Sequence, residues 1–241
     1  MKQIAVFAFI ALTTVSSCRE IFAKRIRGNG NVTTETKTVS DFNSVDVSGA
    51  LDIYLRQDST ESVRVEADNN LQQYIEVVQN GDELRIRTKE GFNIRPSRKI
   101  KIFVSGPIFK RLQATGASSF VGETPINIAN QLSIDLTGAS DIELDVTAPS
   151  VLVSCTGAST VRMKGEAKDL TLDGSGSTEF KCSGLVSDNV DIDISGASSA
   201  EVIANAKLNV KASGACTVKY KGSPATVNQS SSGASSISKI Q

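Results

Sequence analysis

The 241-residue sequence has no histidine, no tryptophan and only three tyrosines. Without His there is no Ser-His-Asp or Cys-His catalytic arrangement, no His-ligated metal and no imidazole acid/base pair. Without Trp, and with aromatic residues at 5%, few rings remain to stack on bases or sugars. Net charge is missing as well: 26 Lys+Arg offset 26 Asp+Glu, so no overall field draws the chain to nucleic acid, and no nucleic-acid partner is expected. These absences lead us to expect no catalytic residues, no cofactor and no metal. Apolar residues at 39% and charged residues at 22% exclude both compositional disorder and an integral membrane bundle. Glycine (18 residues), serine, threonine and β-branched residues remain, a composition of strands and turns.

The first residues form an address. Met1-Lys2-Gln3 is a short basic start, and Ile4 to Val15 is an uncharged, largely apolar run. This run is too short for a helix across a ~30 Å hydrocarbon core, but it suits the h-region of a secretory signal. Val15-Ser16-Ser17-Cys18 then resembles the lipobox of bacterial lipoproteins. The resemblance implies cleavage after residue 17, lipidation of Cys18 and a mature chain that begins at that cysteine. The alternative is an ordinary signal peptide with Cys18 incidental. Residues 18–30, charged and then Gly-Asn-Gly, are expected to be a tether. The membrane contact expected is the lipid anchor only.

An internal repeat decides the fold. A Ser/Thr-Gly-Ala/Ser motif centres on Gly116, Gly138, Gly157, Gly176, Gly196, Gly214 and Gly233. Its glycines recur at a near-constant interval of about 19 residues, the first interval being slightly longer. The residues between are in phase too. Four positions after each glycine stand Phe120, Ile142, Val161, Phe180, Ala200, Val218 and Ile237; four before stand Leu112, Ile134, Val153, Leu172, Ile192 and Val210, with a lapse at Gln229. Intervening residues are mostly polar, and alternation at period two means strands with one buried face. Each unit is thus strand, glycine corner, strand and a second bend marked by breakers such as Pro149, Gly165 and Gly184. A unit of ~19 residues cannot bury its own apolar edge, whereas stacked units can. The expectation is an all-β, right-handed parallel β-helix (solenoid) of two-strand coils. A propeller needs ~40 residues per blade and fits less well. Glu143, Arg162, Lys181, Glu201 and Lys219 would form one outward column, with opposite charges at three of its four steps.

Val45-Asp46-Val47-Ser48-Gly49-Ala50 obeys the same template, making Gly49 an eighth corner. The stretch from Gly49 to Gly116 is more than three times the repeat interval, too long for one coil. In this excess, 62–67 alternates as a strand, 69–73 suits a helical turn, 74–89 a hairpin about Asn80-Gly81, and 98–104 a further strand. We expect an N-terminal β cap with the first coil over 31–110, continuous with solenoid repeats over 111–241. Gly28-Asn29-Gly30-Asn31, the segment Phe42 to Leu55, the strand Val63 to Asp68 and the Thr/Ser-Gly-Ala-Ser repeats together resemble the putative auto-transporter adhesin, head GIN domain family. The resemblance spans about Gly28 to the C-terminus, departing at Ser175-Gly176-Ser177, where Ser replaces the usual Ala. It implies an extracytoplasmic β-helical domain of the kind carried on lipoproteins of Bacteroidetes-type bacteria, at the outer membrane on its cell-surface or periplasmic face. It implies no catalytic residues.

Other clusters have plain readings. Cys155 and Cys182 occupy columns filled elsewhere by apolar residues and are expected as buried hydrophobes; Cys216 replaces a corner serine and is expected to be partly exposed. Asp141, Glu143 and Asp145, and Asp188, Asp191 and Asp193, are rows of acids expected on the wet face, with calcium or glycosidase chemistry as the alternatives. The basic run Arg95-Pro96-Ser97-Arg98-Lys99 is expected to be solvated. The function expected is a non-catalytic adhesin or binding module whose partner is a glycan, a cell-envelope component or a surface protein. A β-helical carbohydrate-active enzyme and a structural envelope spacer without a ligand are the alternatives.

Overall fold

The ~19-residue period builds a β-solenoid of about 7 turns whose coils stack in parallel. The computed structural model describes residues 23–241; the signal sequence, Cys18 and the start of the expected tether lie outside the described residues. The N-terminal part runs through β1 (Lys24–Arg27), β2 (Val32–Lys37), β3 (Ser44–Gly49), β4 (Asp52–Gln57) and β5 (Ser62–Asp68). A 3-10 turn at Gln72–Tyr74 leads to β6 (Ile75–Asn80), β7 (Glu83–Thr88), β8 (Phe92–Arg95) and β9 (Lys101–Gly106). The climb then begins with β10 (Arg111–Gly116), β11 (Ser119–Gly122), β12 (Ile126–Asn127) and β13 (Gln131–Gly138). Four long strands run from corner to corner: β14 (Asp141–Gly157), β15 (Thr160–Gly176), β16 (Glu179–Gly196) and β17 (Ser199–Gly214). The last turns are β18 (Thr217–Lys221), β19 (Thr226–Gly233) and β20 (Ser236–Lys239).

Registers are parallel from coil to coil, and glycine faces glycine from Gly49 through Gly116, Gly138, Gly157, Gly176, Gly196 and Gly214 to Gly233. The corner needs glycine for two reasons, seen at Gly157. Its φ is +111°, and a Cβ there would overlap the Gly138 carbonyl oxygen. That carbonyl instead accepts the Ala158 N–H at 2.7 Å, one rung of a backbone ladder that also joins Ala139 to Gly116 and Ala197 to Gly176, each at 2.7 Å. Inside, the columns predicted from the repeat meet: Leu112, Ile134, Val153, Leu172, Ile192 and Val210 stack behind one sheet, and Phe120, Ile142, Val161, Phe180, Ala200 and Val218 behind the other, all buried. The core ends where the column turns polar, at Gln229 and Ser231 of β19, which is exposed along its length.

The excess between Gly49 and Gly116 folds below the first coil rather than beside it. β7 lies parallel under β3 and β9 under β4, while β10 and β11 lie above the same two strands. The first coil in sequence is therefore the second in space. Antiparallel strands close this end: β6 on β7, β5 on β9 and β2 on β5. They cover the edge a parallel stack would otherwise leave open.

The stretch expected to be a free tether contributes β1, which pairs in parallel with β8 in a separate two-stranded flap. The reason is a polar knot behind it. Asp68 is 1% exposed and accepts hydrogen bonds from Gly30 N at 2.7 Å, Ser97 N at 2.8 Å and Ser97 Oγ at 2.6 Å. Burial alone would raise this carboxyl, but the bonds from Ser97 and Gly30 outweigh it and hold its pKa below the ordinary value. Gly28 must be glycine because a Cβ would collide with the Asp68 carboxylate and sit 2.8 Å from Ser97 N.

Candidate functional site: the stacked polar face

A strand with one face in the core has its other face in water, and in-register stacking turns each outward position into a column along the axis. Rungs in such a stack are ~4.8 Å apart. On the sheet that precedes the glycine corners, three columns run side by side: Asp169, Asn189, Lys207 and Thr226; Thr171, Asp191, Asn209 and Asn228; Asp173, Asp193, Lys211 and Ser230. Amides bridge successive rungs. Asn189 Nδ2 donates to Asp169 Oδ1 at 2.8 Å, Asn209 Nδ2 to Asp191 Oδ2 at 3.2 Å, and Asn228 Nδ2 to Asn209 Oδ1 at 2.9 Å. A shallow depression of about 390 Å³ lies over Asp169, Thr171, Asn189, Asp191, Lys207 and Asn209. Partial burial, then the neighbouring Asp193 and Asp191, raise the Asp173 carboxyl above its usual range, and Lys211 opposes this. The surface is a lattice of acceptors and donors suited to a hydroxyl-rich ligand.

The edge beside this face is lined by hydroxyls. Ser48, Thr115, Thr137, Thr156, Ser175, Ser195, Ser213 and Ser232, each preceding a corner glycine, are in register, and most are exposed. Two residues after the glycine the chain turns inward. Ser118, Ser140, Ser159, Thr178 and Ser198 are buried, and Thr178 Oγ1 donates to Ser198 Oγ at 2.9 Å. Cys216 belongs to this inward column and is 1% exposed, with its thiol on the Ser213 carbonyl at 3.2 Å, which corrects the expectation of partial exposure. Its position counted from the glycine carried the signal, because the buried members of that column are small Ser or Thr residues confined inside the corner. Cys155 and Cys182 are buried too, and burial pushes both thiols up to about 12, leaving no thiolate for chemistry at neutral pH.

The two rows of acids do not converge. Asp141, Glu143 and Asp145 lie on the sheet that follows the corners, against Thr160, Arg162 and Lys164, whereas Asp191 and Asp193 lie on the preceding sheet. No three Asp, Glu or Cys side chains are grouped to hold a metal ion among the described residues. Glu143, Arg162, Lys181, Glu201 and Lys219 are in register as one column. Within that column, among the described residues, only Glu201 and Lys219 pair, at 3.5 Å; Lys181 turns instead to Glu179 of its own strand at 3.0 Å. A second concavity, a groove of about 1020 Å³, lies at the cap between the flap and the first corners, lined by Gly49, Ala50, Phe92, Ile94, Ile100 and Gly116 among others. No helix among the described residues is long and apolar enough to cross a membrane.

Solved structures share this architecture. A putative adhesin from Bacteroides fragilis is 21% identical, with a TM-score of 0.83 over 89% of this chain and 100% of that one. A putative adhesin from Parabacteroides merdae is also 21% identical, with a TM-score of 0.72 over 91% and 100%. A protein of Parabacteroides distasonis described as a putative lipid binding protein is 22% identical, with a TM-score of 0.63 over 90% and 100%. No curated protein matches the sequence. The sequence pattern of the family "Putative auto-transporter adhesin, head GIN domain" covers residues 41–224, from the first coil nearly to the last, and the chain belongs to that family.

Proposed function

We propose that the protein is a non-catalytic, extracytoplasmic adhesin, anchored through a lipid on Cys18, that binds a glycan of a cell envelope on its Asp/Asn lattice. One observation carries the reading: carboxylates, amides and hydroxyls repeat in register at a ~4.8 Å spacing on an open face, which suits a polymer with repeating hydroxyl groups. The family and its adhesin-described structural neighbours support adhesion, and the secretory signal with its lipobox supports the location. Many weak hydrogen bonds along one polymer add as a multivalent contact, so no deep pocket is needed. The paired-carboxylate enzyme finds less support: Asp173 and Asp193 stand in register on one sheet, but a chain with aromatic residues at 5% has few rings to seat a sugar beside them.

The test is binding of the purified protein to an array of envelope polysaccharides. The double variant Asp191→Ala/Asn209→Ala is expected to lose at least about ten-fold in affinity, two charged or polar contacts being worth roughly 1.5–3 kcal/mol together. Glu143→Ala on the other sheet is expected to bind as the parent does. A deletion strain that adheres as well as its parent, together with an array on which nothing binds, overturns the proposal.

A further inference from the structure

We propose that the outer face of the β1/β8 flap is a docking surface for anionic phospholipid headgroups, which holds the cap end of the solenoid against the membrane. This adds a second contact to the lipid anchor and rests on the Cys18 reading for its orientation. The pairing of the flap decides which side chains face out. Arg25 lies beside Asn93, Ile26 beside Ile94 and Arg27 beside Arg95. Ile94 packs on the core, and Phe92, two residues earlier on the same face, lies against the Tyr74 ring at 4.6 Å between centroids. At period two, Arg25, Arg27 and Arg95 therefore share the opposite, outer face.

That face holds like charges without counter-ions among the described residues. Arg27 and Arg95 stand directly opposite on paired strands, an arrangement that repels. Elsewhere in and near the cap the arginines hold carboxylates: Arg85 with Glu83 at 2.6 Å, Arg87 with Glu76 at 3.0 Å and Arg111 with Asp135 at 3.0 Å. Arg25, Arg27, Arg95 and the adjacent Arg98 are exposed, and none is joined in an ion pair with a carboxylate among the described residues. Charge is segregated along the chain as well. Residues 112–205 carry thirteen acidic and four basic side chains, although the whole is neutral. An anionic surface would thus attract the cap and repel the middle of the solenoid.

Position selects lipid over other polyanions. Lys24 is the sixth residue after Cys18, a span of at most ~20 Å fully extended. An anchor at Cys18 holds the flap close to a bilayer, where a single acylated site gains from an added polybasic contact. Ile94 on the core and Phe92 against Tyr74 keep the flap seated while its arginines face the headgroups.

The experiment uses the unlipidated chain from Arg19 to Gln241, which keeps every described element, and sedimentation with vesicles in dilute and in concentrated NaCl. Vesicles of three parts phosphatidylcholine to two parts phosphatidylglycerol are expected to bind it at low salt, and pure phosphatidylcholine is not. High salt should release it. Each arginine removed should weaken binding about five-fold, so Arg25→Thr/Arg27→Thr/Arg95→Thr falls about 100-fold. Arg98→Thr, in a loop outside the strands, repeats the test without touching the flap pairing. Lys207→Thr/Lys211→Thr on the solenoid should bind as the parent does. Equal binding to both vesicle types, no loss in the Arg variants, or binding to heparin or DNA as tight as to the anionic vesicles overturns the proposal. Labelled palmitate that fails to enter the cell-expressed protein, or that enters its Cys18→Ser variant equally, overturns the anchor reading and leaves the vesicle result to judge the flap.

Discussion

Replacing the corner glycine Gly157 by alanine tests the stack at its narrowest point. Two costs combine. A non-glycine residue at φ +111° pays ~1–3 kcal/mol of backbone strain. The new Cβ would also meet the Gly138 carbonyl oxygen and lie 3.1 Å from Gly138 N and C, so the two rungs must part. Parting them gives up the Ala158 N–H bond to Gly138 O, worth ~1 kcal/mol. Alanine recovers ~0.5–1 kcal/mol by restricting the unfolded chain. The net destabilisation expected is ~1–3.5 kcal/mol by urea titration, with faster hydrogen exchange in the coils on either side of the corner. Gly81→Ala is the control: its φ is +62° and nothing lies within 4 Å of the added carbon, so only ~1 kcal/mol of strain applies. If Gly157→Ala costs no more than Gly81→Ala, steric contact between stacked corners does not require the glycine.

Three further outcomes follow from the same geometry. Leu172→Ala, at a fully buried side chain, should cost ~2–5 kcal/mol in the same titration, and a loss below ~1 kcal/mol would show that the core column is loosely packed. Asp68 has a lowered pKa, so its contribution is complete above the ordinary carboxyl range and is lost as pH falls through the lowered value. Asp68→Asn should therefore flatten the acid limb of the melting curve, and an unchanged limb would refute the role of the knot. Asp173 has a raised pKa, so its contribution is present at low pH and lost as pH rises through the raised value. Asp173→Asn should stabilise by ~0.2–1 kcal/mol at pH 7 and by nothing at pH 3; destabilisation at pH 7 would count against the repulsion from Asp193.

The solenoid was legible because stacking imposes one environment on each phase of the repeat. Leu112 and Val210 stand five coils apart in sequence, yet both precede a corner by four positions and both are buried. The cap hairpin was legible from Asn80-Gly81, since that turn chemistry is local. What escaped is non-periodic pairing over long separations. Nothing in Glu83 to Thr88 announces that it lies under Ser44 to Gly49, because any alternating strand would fit there. Lys24 to Arg27 has the composition of a tether and becomes a strand only because Phe92 to Arg95 offers an edge and Asp68 pins the turn that follows. The Asp/Asn lattice was half visible: the Asp rows stood out as acids, whereas the asparagines that bridge them did not.

In-register stacking also limits what kind of recognition this fold supports. A change at one outward position alters one element of a column and leaves the neighbouring rungs to hold the backbone, so the polar face can vary while the core columns and corner glycines persist. Enclosing a small molecule on that face would require a loop to fold over it, and at most corners only Ala-Ser or a like pair separates the glycine from the next strand. The corner enlarged into a flap is in the cap, between Thr88 and Lys101, where the groove opens. The molecule is thus asymmetric along its axis: the cap end has the groove and the exposed arginines, and the coils beyond present a polar face rich in carboxylates and amides. A polymer lying along the axis meets polar hydrogen-bonding side chains at each of these rungs, so its affinity should rise with chain length until it spans Asp169 to Asn228 and then level off. Titration with oligosaccharides of increasing length checks this, and an affinity already saturated at a disaccharide would place recognition in a single local pocket instead.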